Sequence, residues 1–69
     1  MEKGSANDLM QEIIRLTAQL NVIADKVEAI SPEAERLVMR RHIGNVMAAL
    51  DENLYRPILK QYPELDPHR

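Results

Sequence analysis

The feature that most constrains this chain is the spacing of apolar residues in its first half. Leu9, Ile13, Leu16, Leu20, Ile23, Val27 and Ile30 follow one another in alternating steps of four and three. A strand repeats every two residues, whereas these steps keep all seven side chains along one side of an α-helix. With Leu9, Leu16, Ile23 and Ile30 as d and Ile13, Leu20 and Val27 as a, they form a heptad seam of the kind that packs against a second helix with left-handed supercoiling.

The punctuation around the seam sets the expected elements. Ser5 with Asp8 three residues on is a variant capping box, with Asn7 as a competing cap, so helix one is expected over about 7–30 after a flexible stretch at 1–6. Ser31-Pro32 stops it, because proline disfavours helix at the residue before it while its own φ suits the first position of a new one. Ser31 is the expected cap of helix two, with Glu33 and Glu35 near the positive end of its dipole. That helix reads over about 32–55, its stripe formed by Met39, Ile43, Val46, Leu50 and Leu54 and widened by Leu37, Val38 and Met47. Pro57 removes a backbone donor and collides with the carbonyl one turn earlier, so a short separate helix is expected at about 57–62. The segment from Tyr62 through Pro63 and Pro67 is expected to be an extended tail over 63–69.

Two helices of matched length joined by so short a connection point to an antiparallel hairpin. One hairpin interface does not cover every apolar side chain. Met10, Ile14 and Val22 fall off the seam, and Tyr55, Ile58, Leu59, Tyr62 and Leu65 follow helix two. The size of the chain points the same way, since 69 residues without a cysteine must draw stability from oligomerisation or very regular helix packing. The expected fold is therefore all-α: an antiparallel two-helix hairpin with a short C-terminal helix and tail, dimerising into a four-helix bundle. Met10, Ile14, Val22, Gly44, Met47 and Ala48 are the expected oligomer-interface residues. Gly44 and Ala48, one turn apart, form a small-residue notch suited to a close helix crossing.

Charge is unevenly divided. Residues 1–35 carry three basic and seven acidic groups (3 − 7 = −4), and residues 36–69 carry six and four (6 − 4 = +2). The halves are thus complementary, and most of the arginines of helix two have acidic partners to find in the first half. Arg36, Arg40, Arg41 and His42 form the richest charged cluster and, with Tyr62 and Leu65 of the tail, are the candidate partner-binding residues. The tail has two readings, a peptide for a groove on another protein or a strap across its own bundle end, and the second is favoured.

No constellation carries chemistry. Neither His42 nor His68 has a glutamate three residues before it, the spacing that di-iron bundle sites use, and there is no glycine-rich phosphate loop and no cysteine nucleophile. Capping accounts for Ser5 and Ser31. No catalysis, cofactor or metal is expected. A polar N-terminus, the absence of any run near ~20 apolar residues and the lack of cysteine suit a soluble, cytoplasmic chain with no membrane contact. The expected function is a non-catalytic, homo-oligomeric helical module for protein–protein contact. The alternative is an RNA-binding regulator of the Rop type, similar in architecture alone, using the arginine cluster. Negative net charge and the lack of interleaved aromatics argue against nucleic acid.

Overall fold

The computed structural model describes residues 1–67, whose regular structure is all helical with no strand among them. Helix α1 spans Lys3–Val27 and α2 spans Glu33–Leu50. A π-helical turn, Asp51–Tyr55, leads directly into α3, Arg56–Gln61, and a 3-10 turn, Pro63–Leu65, closes the described chain. The two long helices lie side by side in opposite directions. Arg40 meets Glu28 beside the turn, and at the far end Tyr62 donates its hydroxyl to the carbonyl of Met1 at 2.6 Å while Lys3 pairs with Glu64 at 3.1 Å.

Several local expectations are corrected. Residues 3–6 belong to α1, which starts after Glu2 without a side-chain cap, so Ser5 lies inside the helix instead of capping it. Pro32, not Ser31, is the N-cap of α2, again with no side-chain bond. Where an extended tail was expected from residue 63, Pro63–Leu65 makes a 3-10 turn. His68 and Arg69, the end of that expected tail, lie outside the described residues. The short helix expected at about 57–62 is present as α3, Arg56–Gln61, but it follows on from α2 through the π-helical turn without a loop between them. The Arg56 N–H bonds to the carbonyl of Asp51, an i→i−5 closure that widens the turn just where the proline ring needs room and its missing N–H leaves the ladder short.

The core differs from the expected seam in a way that shapes everything below. Its buried cluster is Ala6, Met10, Ile13 and Ile58, with Ile14, Leu50, Tyr55, Leu59, Tyr62 and Leu65 packed against it. Leu20 and Val27 extend the buried line of α1 toward the turn. In heptad terms α1 presents a and e, not a and d, so it is turned by roughly 50° from the expected seam at 100° per residue. The cause is the width of the apolar arc. Residues d, a and e together span about 100°, the arc of a bundle helix with two neighbours rather than one. The a–e edge goes to the partner that the chain itself supplies. Thr17, an e residue, fits that edge because its hydroxyl donates to the carbonyl of Ile13 at 2.9 Å, as helical threonines do.

Candidate functional site

The turn leaves the d residues without cover. Leu9 is 49% exposed, Leu16 44% and Ile23 38%, and on the other helix Met39, Val46 and Leu54 are 40%, 49% and 47% exposed. These six residues lie on the same side of the hairpin. On α1 the d row stands roughly 80° behind the centre of the buried edge, counting 100° per residue. On α2 the half-buried line is Arg36, Ile43, Met47 and Leu50, and Met39 and Val46 stand roughly 60° behind it by the same count. The π turn, with its smaller rotation per residue, returns Leu54 to the row. Equal-handed displacements on two antiparallel helices point to one face.

The opposite face confirms the sense of rotation by being different. It carries the Glu28–Arg40 ion pair, in which Arg40 Nε and a terminal nitrogen meet both carboxylate oxygens, at 2.9 and 2.5 Å. That hydrogen bond from Arg40 is the main reason the Glu28 carboxyl is held below its ordinary range. The same face holds an open groove of about 480 Å³ between the helices, lined by Ile14, Leu20, Met47, Leu50, Asp51 and Tyr55 among others. Its walls are apolar and its one carboxylate, Asp51, is paired with Arg56 at 2.6 Å. It lacks the convergent polar groups that orient a small ligand. Burial, and then the nearby charge of Asp66, raises the Tyr55 hydroxyl above its ordinary value.

The candidate residues are distributed as follows. Arg36 is half-buried at the helix contact and pairs with Glu33 at 3.6 Å, Arg40 is held by Glu28, and Arg41 and His42 are exposed. Arg36 and Arg41 are separated by roughly 140° around α2, so the three arginines do not form one stripe. Tyr62 and Leu65 pack on the chain's own core, the strap reading of the tail. Among the expected interface residues, Met10 is 1% exposed inside the protomer, and Ile14 and Met47 line the groove. Val22 is 46% exposed and faces outward. Ala48 is exposed, and a Cβ added at Gly44 meets nothing within 4 Å, so no helix of the protomer crosses closely at the notch.

Spacing alone does not single out the face built from Leu9, Leu16, Ile23, Met39, Val46 and Leu54, since the first three fall on the expected seam of helix one and the last three on the expected stripe of helix two. The signal was there in Ala6, Met10 and Ala24, whose a and e positions already widened the apolar arc. Among the described residues no group of three or more His, Asp or Glu is placed to hold a metal ion, and no helix is long and apolar enough to cross a membrane. Compared with known proteins, the chain matches no family model, no curated protein and no solved structure.

Proposed function

We propose that the protein is a non-catalytic helical module that works by protein–protein contact, and that its first partner is a second copy of itself. The apolar face carries this reading. Six apolar side chains are buried in the protomer, while ten large ones are exposed at 38% or more, an inversion that a stable monomer of this size does not tolerate. The surface area supports the same conclusion. The chain exposes 5187 Å², whereas a compact monomer of 7.9 kDa exposes roughly 4,400 Å². That excess reflects the elongated shape of the protomer, 47 × 19 × 17 Å, in which one side of the hairpin is left uncovered.

A second hairpin laid against this face makes a four-helix bundle, in which each helix has neighbours about a quarter-turn apart. The roughly 80° between the two apolar edges of α1 suits that architecture. Leu37 and Val38, 47% and 50% exposed, lie off the face and stay uncovered after pairing, which leaves surface for a further protein partner. Sedimentation equilibrium over a wide concentration range tests the reading. A species of 2 × 7.9 = 15.8 kDa is expected, and a 7.9 kDa species persisting at millimolar concentration overturns it.

A further inference from the structure

Two copies can cover each other's apolar face in two ways. With the two-fold axis along the helices, α1 lies over α2 of the second copy; with the axis across them, α1 lies over α1, antiparallel. We propose the second arrangement, with the axis beside Gln19, a statement that rests on the self-association inferred above.

The rim of the face decides between them. Three residues after each member of the α1 row, on its outer side, stand Glu12, Gln19 and Lys26. Reversal about Gln19 brings Glu12 opposite Lys26 of the second copy, because 12 + 26 = 2 × 19, and it does so twice by symmetry. The same reversal brings Leu16 within one residue's rise of Ile23 of the second copy, and Leu9 within one of its Ile30, since both pairs sum to 39 against 38. The row therefore meets itself to within one residue, as antiparallel helices with a seven-residue repeat do. Glu12 is engaged only with Arg15 on its own helix, an exposed i,i+3 pair that is easily exchanged. Lys26 forms no ion pair among the described residues.

The other arrangement serves these charges less well: Glu12 would come level with Arg56 of the second copy, which Asp51 already holds at 2.6 Å, and Lys26 would have no acidic partner. Glu28 stands level with Arg40 across the hairpin, so a residue two earlier on α1 is level with one two later on α2. Lys26 would then face His42 of the second copy, next to its Arg41. By the same correspondence Gln19 is level with Ala49, so the proposed axis passes between two small, exposed side chains where the α2 helices meet.

The chain has no cysteine, so Ser5→Cys accepts a single nitroxide label at an exposed site. Double electron–electron resonance on the labelled protein, with its mass measured alongside, separates the outcomes. Each Ser5 is fourteen residues from the axis, so the proposed dimer puts the labels about 42 Å apart along the bundle. The rejected stacking brings both Ser5 residues to the same end on diagonal helices, roughly 20 Å apart for helices packed at normal distances. A dimer with the long distance supports the arrangement. A dimer with the short distance overturns it and leaves self-association standing, and a monomer overturns both. As a second test, Glu12→Lys and Lys26→Glu each weaken the dimer roughly threefold or more, and the doubly exchanged chain regains wild-type affinity. A double variant weaker than either single one overturns the pairing.

Discussion

Leu16→Ala is the most informative single substitution, because Leu16 sits mid-row on the uncovered face and contributes little to the protomer's own core. Full burial of a leucine side chain is worth about 1.5–3 kcal/mol. With 44% of the residue still exposed in the protomer, the portion left for an interface is about 1 kcal/mol per copy. A symmetric dimer contains the site twice, so the loss is about 2 kcal/mol, or roughly a thirtyfold rise in Kd. Alanine keeps a methyl group, which trims this figure, and the void it leaves adds to it. Sedimentation equilibrium on both proteins gives the ratio, with circular dichroism at high concentration confirming that the helices remain. A Kd within twofold of wild type refutes the assignment of the d row to the interface.

Three further outcomes follow from the protomer. Gly44→Ala is expected to stabilise the folded state by about 0.5–1 kcal/mol in urea unfolding, since the site is open and alanine is the better helix former. A loss of stability instead means that a second backbone approaches there. Met10→Ala removes the largest fully buried side chain, costing about 2–5 kcal/mol. A chain this size holds only about 3–5 kcal/mol from its core, so the variant should show little cooperative unfolding. The third concerns acid. Because Arg40 holds the Glu28 carboxyl below its ordinary value of 4.5, the pair's contribution is present above that value and is lost as pH falls through the lower folded one. An NMR titration of the Glu28 side chain should show a midpoint below 4.5 that Arg40→Gln returns upward, and an unmoved midpoint contradicts the pairing.

Much of this fold is legible in the sequence because the heptad spacing of α1 admits no other element, and because Ser31-Pro32 leaves no room for a long connection. The all-helical hairpin and the folded-back tail follow from those residues and from Tyr62 and Leu65. What the spacing does not specify is which edge of a wide apolar arc meets the chain's own second helix. Leu9, Leu16 and Ile23 form as good a seam on paper as Met10 and Ala6. The choice is made by Ile58 and Tyr62, which arrive over Met10 only because the π turn at Asp51–Tyr55 carries the chain past Pro57 without stopping it. That turn depends on a local balance between the proline ring and the packing of Ile58, and periodicity has no signature for it. The charge division was readable in outline, since Arg40 does find Glu28. Its strength as a binding patch was not, because Arg36 turns toward the helix contact.

The claim that ties fold to function is that the hairpin depends on a second copy to cover its apolar face. Light scattering and circular dichroism on the same samples, diluted from millimolar to nanomolar, test it most directly. Helicity that holds while the mass is near 15.8 kDa, twice 7.9 kDa, and falls only as the mass halves is the expected result. Full helicity at the monomer mass would contradict it, and would make the exposed row a surface that the protomer does not need to bury.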